Sequence, residues 1–455
     1  MKTPIVDFVK RYAESDISRF HMPGHKGKAH LGCEALDITE IDGADVLYSA
    51  CGIIEKSEEY TSSLFHSAHT FYSAEGSSLV IKAMLGIIKS TKKDGERPII
   101  LAARNVHKAF IYACALLDLD VEWLFPKHFT HLCTCNLTKE DVKNAICRMS
   151  RKPDAVYLTS PDYLGQVQDI RGISEVCRTY DIPLLVDNAH GAYLAFLEEN
   201  RHPLALGASM CSDSAHKTLP VLTGGAYLHI AKDAPKTFLS QARTMLSLFA
   251  STSPSYLILQ SLDLCNAYLA NGYGKKLADC IEKVESIKKM LDEKGIFYEK
   301  SEPLKLVLNA KRCGYTGEEL ARYLRERKME IEFSDPDFAV LMFTPENDEK
   351  DFTRLENALA SLPKREPFRE EKPLPIPNVQ TALSVRDAVF SPKKTVPVED
   401  AVGKVCASPL VSCPPAVPIV MSGEVITKEA VAWFAHYETA LVEIVDGLSN
   451  DMILK

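Results

Sequence analysis

From about Arg97 to Ile230, short apolar runs alternate with amphipathic stretches. Few architectures accept that pattern, because it is the signature of βαβ units laid around a mostly parallel sheet. Strands are predicted at Pro98–Ala103, Val121–Phe125, Ala155–Thr159, Pro183–Asp187, Ala208–Ser212 and Gly225–Ile230. Helices are predicted near Lys108–Leu117, Thr138–Met149 and Gly172–Tyr180, with Thr138 and Asp141 suited to a cap pair at the second. The fold class is therefore α/β, with a large domain on a mostly parallel central sheet.

At roughly 100–200 residues per domain, 455 residues leave room for more than that domain. Leu257–Leu269 and Lys275–Lys294 read as long helices, the second with Leu277, Ile281, Val284, Ile287 and Leu291 close to a 3.6-residue period. Residues 295–362 read strand, helix (Thr316–Arg327), strand, strand, helix, which suits a small α+β domain. Proline and charge mark residues 363–377 as an extended linker, and residues 378–455 form a further C-terminal domain of α+β type. The expected division is 1–60, 61–294, 295–362, 363–377 and 378–455, with the large α/β domain on the second segment.

Charge and cysteine usage narrow the partners. With 53 basic against 61 acidic residues and a net charge of −8, the chain lacks the clustered positive charge that nucleic acid or an anionic membrane demands. Its 13 cysteines are odd in number and scattered, and no apolar run opens the chain, so reduced thiols in a cytoplasmic setting are expected. The most apolar stretch, Ile182 to Leu197, is broken by Asp187, Asn188 and His190 and falls short of a membrane span. Asn136 opens a glycosylation sequon that has no use in that setting.

The residues with the clearest chemistry are Asp187, which ends a buried apolar run, and Lys217, which follows the next one. Ligands bind at the carboxyl ends of strands in an open parallel sheet, so both can face one crevice. A lysine amine forms a Schiff base with the aldehyde of pyridoxal phosphate, while a carboxylate keeps the pyridine nitrogen protonated. Taken alone, an aspartate also caps turns and a lysine is usually solvated. The surroundings favour chemistry: Ser214 can donate to a phosphate three residues before the lysine, within a segment too apolar for a surface loop. His216 suits a structural role as well as a catalytic one.

Two further elements support the same cofactor. Glu75, Gly76 and Ser77 form a turn of small residues running into an apolar helix, where backbone N–H groups cradle a phosphate. An ordinary capped helix would look the same, and a glutamate sits badly beside a dianion unless only its backbone faces the ligand. His107, at the end of a predicted strand, could lie flat against a cofactor ring.

The motifs HMPGHKG (His21–Gly27), DITEIDGADVL (Asp37–Leu47), RNVHK (from Arg104), TSPDYLG (Thr159–Gly165), DNAHGA (from Asp187), SAHK (Ser214–Lys217) and STSP (Ser251–Pro254) stand in one order. In that order the chain resembles the prokaryotic ornithine/lysine/arginine decarboxylases, pyridoxal-phosphate enzymes of the aspartate-aminotransferase-like fold. The resemblance runs from about His21 to Tyr256 and resumes in VRDAVFSPKKTVPVEDAVGKV and PPAVPIVMSGEVIT. It implies Lys217 as the aldimine lysine, Asp187 as partner of the pyridine nitrogen, His107 as the stacking ring, Ala189 beneath the ring and Ser214 as a phosphate ligand. The turn at Glu75–Ser77 departs from the family's Asn-Gly-Thr/Ser pattern.

The same resemblance implies that Ser251 and Thr252 reach a neighbouring subunit's cofactor, so that sites form in a homodimer or larger assembly. It makes His21–Gly27 a wall of the substrate entrance, with residues 1–60 contributing to it, and suggests the family's short form. Glu424 would be the acidic partner of a basic substrate side chain, with His190 a second substrate candidate. Ala416 stands where the family has glycine.

The expected function is decarboxylation of arginine, lysine or ornithine to its amine, with transamination, β-elimination or non-catalytic regulation as the competing readings. His128, His131, Cys133 and Cys135 fall within eight residues, but no second cysteine pair completes a zinc pattern, and a connecting loop explains them better. No metal is expected. Cys211, near Lys217, reads as a small buried hydrophobe rather than a reactive thiol.

Overall fold

The computed structural model describes residues 1–93, 95–127, 131–369, 374–375, 379–408 and 415–448. Along the chain run α1 (Pro4–Ala13), α2 (Ile53–Phe65), β1 (His69–Ser73), α3 (Gly76–Ser90), β2 (Ile99–Ala103), α4 (Lys108–Leu117), β3 (Asp120–Leu124) and α5 (Lys139–Arg148). Next come β4 (Ala155–Thr159), α6 (Ile170–Thr179), β5 (Leu184–Asp187), β6 (Met210–Asp213), α7 (Ala215–Thr218), β7 (Ala226–Ile230), α8 (Lys236–Phe249), α9 (Tyr256–Ala270) and α10 (Tyr273–Lys294). The remainder holds β8 (Tyr298–Glu299), β9 (Lys305–Asn309), α11 (Gly317–Arg325), β10 (Phe333–Ser334), β11 (Phe338–Met342), α12 (Glu349–Ala360), α13 (Val385–Phe390), β12 (Lys393–Pro397), β13 (Cys406–Ser408), α14 (Lys428–His436) and β14 (Leu441–Val445). Every strand and helix predicted from the apolar alternation is present, within about two residues at each end.

The chain forms two compact units: 1–96 with 153–160 and 170–276, and 97–152 with 161–169 and 277–455. In the first, the strands lie in the order β1-β7-β6-β5-β4. The pairs β4–β5 and β5–β6 are parallel, whereas β6–β7 and β1–β7 are antiparallel. β5 is buried along its whole length, as its run Leu-Leu-Val-Asp requires. Register sets Thr159 beside Asp187 and Asp187 beside Ser212, so these three side chains leave the sheet on one face at the carboxyl ends of parallel strands. Strand β1 was not among the predicted strands. Its five residues pair in full with β7, and that long-range partner makes a strand of a run too short to announce itself.

Asp45 organises the start of α2. It is buried, and its Oδ1 accepts from the N–H groups of Val46 and Cys51, its Oδ2 from Gly52 at 2.8 Å and Ile54 at 3.0 Å. One carboxylate thus satisfies donors that the helix end cannot satisfy itself. Asp45→Ala should lower stability by about 1.5–3 kcal/mol, the range for a charged group's hydrogen bonds, seen as an earlier midpoint in urea unfolding.

In the second unit β2 and β3 pair in parallel, and the Thr138–Asp141 pair closes a capping box on α5. The strands β10-β11-β9-β8 form an antiparallel sheet accompanied by α11 and α12, and β12-β14-β13 form a three-stranded sheet. One more short strand, β8, precedes the pattern expected for residues 295–362. Residues 363–369 carry no helix or strand, as an extended connection should, yet they are tied down. Tyr315 Oη donates to Pro363 O, Arg365 pairs with Glu319 at 2.9 Å, and Phe368 N–H donates to Lys311 O. The rest of that linker, apart from residues 374–375, lies outside the described residues.

Ala416 has φ +56°, the left-handed region that glycine tolerates and alanine does not. Alanine thus holds here a backbone that glycine would adopt without strain. Ala416→Gly should therefore stabilise the protein by about 1 kcal/mol, which a thermal melt would register as a rise in Tm.

Candidate active site

In the first unit, Asp187 ends β5 with 2% exposure, and its Oδ1 accepts from the Ala189 N–H at 3.3 Å. Burial pushes its carboxyl up to about 6, against the opposing pull of the Lys217 positive charge. Lys217 sits on the single turn α7, whose backbone is set by Lys217 N–H donating to Ser214 O at 3.0 Å. Lys217 Nζ and His190 Nε2 lie 3.0 Å apart. The carboxylate and the amine thus belong to one electrostatic neighbourhood, with His190 as the amine's neighbour.

Ser214 Oγ donates to Ser77 Oγ at 2.8 Å, joining the hydroxyl before α7 to the first turn of α3. Gly76 has φ +73° and a side chain there would meet nothing within 4 Å, so open space faces this helix end. The Gly76 N–H donates to Gly224 O, so the donors available to an anion are those of the following turn. Glu75 does not present its charge to that space through hydrogen bonding: its Oε1 accepts from Ser251 N–H at 2.7 Å. Ser251 and Thr252 are exposed. His216 donates from Nδ1 to Gly225 O at 3.0 Å, a bond that fixes its ring to the backbone.

Beside these lie groups that no motif announced. Thr159 Oγ1 and Ser212 Oγ, register neighbours of Asp187, are buried without a hydrogen-bond partner among the described residues. Asp213, fully buried, accepts from His202 Nε2 at 2.9 Å, His229 Nε2 at 3.2 Å, Asn188 Nδ2 at 2.8 Å and Cys211 Sγ at 3.3 Å. Burial would raise its carboxyl, but His202 and His229 hold it well below the usual carboxylate range. Burial keeps the Cys211 thiol far above its ordinary value, so it is protonated and inert.

The set fits pyridoxal phosphate. It supplies an amine for the aldehyde, a buried carboxylate for the pyridine nitrogen, paired hydroxyls at an open helix N-terminus for the phosphate, and orphaned hydroxyls flanking the carboxylate.

In the second unit, His107 is the N-cap of α4, and its Nδ1 accepts from the Ala109 N–H at 3.1 Å, which leaves the proton of the neutral ring on Nε2. Glu424, expected to face a basic substrate, is instead engaged with Arg104, Oε1 to Nη1 at 2.6 Å and Oε2 to Nη2 at 2.7 Å. Of the zinc-like cluster, His131 donates from Nε2 to Asp335 at 2.8 Å and accepts at Nδ1 from Cys133 N–H, and Cys135 Sγ donates to Leu124 O. His128 lies outside the described residues.

Residues 3–310 match the model of the Orn/Lys/Arg decarboxylase major domain, and residues 364–448 match that of the same family's C-terminal domain. The chain is 28% identical to the arginine decarboxylase of Bacillus subtilis (strain 168), over 95% of this chain and 93% of that one. It is 30% identical to the arginine decarboxylase of Halalkalibacterium halodurans, over 96% and 94%. Among solved structures, the lysine decarboxylase of Francisella novicida superposes with a TM-score of 0.78 at 16% identity, covering 98% of this chain and 81% of that one. The constitutive lysine decarboxylase of Escherichia coli gives 0.75 at 17% identity, over 98% and 82%. No helix among the described residues is long and apolar enough to cross a membrane.

Proposed function

Because the chain belongs to the Orn/Lys/Arg decarboxylase family, whose members are pyridoxal-phosphate-dependent decarboxylases, we propose that it binds pyridoxal phosphate at Lys217 and removes carbon dioxide from a basic amino acid. Arginine is the first substrate to test, since four relatives matched along nearly their whole length are named arginine decarboxylases. The observation that carries the reading is the buried Asp187 carboxylate within the field of the Lys217 amine.

Lys217 Nζ would hold the cofactor aldehyde, Asp187 would keep a proton on its pyridine nitrogen, and Ser77, Ser214 and the first turn of α3 would hold its phosphate. When bound, the cofactor supplies an electron sink for the pair left on the α-carbon as carbon dioxide departs. His190, hydrogen-bonded to Lys217 Nζ, is placed to take a proton from that amine or return one to it. His107 covers the ring, and Ser251 and Thr252 serve the site of a second copy in a cytoplasmic homodimer. Residues 61–294 are the cofactor domain in this reading, and 295–362 and 378–455 are separate domains.

The test is to titrate the purified chain with pyridoxal phosphate and then supply arginine, lysine and ornithine separately, detecting carbon dioxide and the amine product. Carbon dioxide with one amine in equal amount names the substrate. A keto acid without carbon dioxide replaces the reading with transamination, and no cofactor-dependent absorption rejects it altogether.

A further inference from the structure

The bidentate ion pair between Arg104 and Glu424 is almost sealed from solvent, with side chains 3% and 4% exposed. It joins positions 320 residues apart. Arg104 lies just past β2, three residues before His107, with its guanidinium 5.1 Å from the Trp123 ring centre and 5.4 Å from that of Phe125. Its Nη2 also donates to Ile419 O at 3.3 Å. Glu424 Oε2 accepts in addition from the Met421 N–H at 2.8 Å, and the Glu424 carbonyl accepts from the Cys406 N–H at the start of β13.

A second strap runs alongside the first. The Lys108 N–H, next to His107, donates to Ala416 O at 2.9 Å. The backbone of Arg104 is fixed by its N–H to Leu124 O at 3.1 Å, and Asn105 Nδ2 donates to Cys133 O at 3.0 Å. The turn that carries His107 is therefore held at Arg104, Asn105 and Lys108, with the C-terminal segment 416–424 supplying two of these contacts.

A carboxylate with both oxygens filled by a guanidinium fork and a backbone N–H has its charge neutralised where it stands. Turning Glu424 towards a substrate cation would strand the Arg104 guanidinium in a buried site, which the interior resists strongly. We propose that Arg104 and Glu424 are positioning residues whose ion pair straps segment 416–424 onto the turn between β2 and α4 and so fixes the His107 imidazole for the cofactor, and that Glu424 is not the acceptor of the substrate's basic head. This rests on the pyridoxal-phosphate reading above.

The experiment uses the full chain and four variants, Glu424→Gln, Arg104→Gln, Arg104→Lys and the double Arg104→Gln/Glu424→Gln. Pyridoxal phosphate affinity is measured by absorption titration, kcat and KM for the accepted amino acid by carbon dioxide release, and folding by cofactor-free melting. Arg104→Lys keeps a charge in the pocket while losing the fork, so it reports even where a glutamine variant fails to fold.

Expected is a fall of about ten-fold or more in cofactor affinity and in kcat for each glutamine variant, with a smaller fall for Arg104→Lys, KM within two-fold of wild type, and a double variant no worse than the poorer single one. Cofactor affinity at the wild-type level in the folded variants overturns the proposal. So does a KM raised about a hundred-fold in Glu424→Gln alone, because that result makes Glu424 the substrate's partner. A wild-type chain that binds no pyridoxal phosphate overturns the cofactor reading itself, and this proposal with it.

Discussion

Asp187→Asn yields a chain that folds yet turns over its amino acid at least about 10²-fold more slowly, the loss typical when one preorganised charge is removed from a reacting centre. The amide keeps the shape and the bond from the Ala189 N–H but cannot hold a proton on the pyridine nitrogen. The pH dependence separates this from a packing defect. Burial raises the Asp187 carboxyl to about 6 in the cofactor-free chain, from the ordinary 3.8. A raised carboxyl means that the folded state binds more protons than the unfolded state between those values. The stability it contributes is thus full below about 3.8 and lost as pH rises through about 6. Cofactor-free Asp187→Asn should lose less stability than wild type between pH 5 and pH 7.5, which melting curves across that range would show. In wild type, cofactor affinity should fall as pH drops through about 6 and the carboxylate is neutralised. A variant whose melting temperature follows wild type at every pH would contradict the assignment.

Lys217→Ala should lose the absorption change on adding pyridoxal phosphate and reduce carbon dioxide release by at least about 10³-fold, since proton transfer at a positioned amine alone is worth roughly 10²–10⁴-fold. The fold should survive, because α7 is a single turn held by backbone bonds, including Leu219 N–H to Ala215 O at 2.9 Å. Equal melting temperatures for the two cofactor-free proteins, together with the loss of absorption change, would establish that the defect is chemical. Retention of carbon dioxide release would remove Lys217 from the mechanism.

The strands of the α/β region were legible because a run such as Leu184–Asp187 is apolar up to its last residue, and only a strand buried on both faces accepts that. That Lys217 lies within the field of Asp187 was legible because residues at the ends of adjacent strands come close wherever in the sequence those strands lie. The capping box at Thr138 is equally local: both partners lie within one helical turn.

What the sequence could not disclose are the partners of buried charge. Glu424 was read as waiting for a substrate, and the structure sets it on Arg104. Asp213 reads as one more polar residue beside Ser214, yet it gathers His202, His229, Asn188 and Cys211 around one buried anion. Asp263 likewise reads as an ordinary helical position, and it caps the start of α1 through the N–H groups of Ile5 and Val6 while accepting from Ser57 Oγ at 2.6 Å. Periodicity and motif spacing are set by a residue's near neighbours in the chain, so by itself the sequence determined the strands and helices between Arg97 and Ile230 and the residue types at the sheet's carboxyl ends, whereas β1 needed its long-range partner. A buried charge is stable only beside a compensating group, and which group that is was decided by the tertiary structure, because folding brings it from positions as far as 320 residues away.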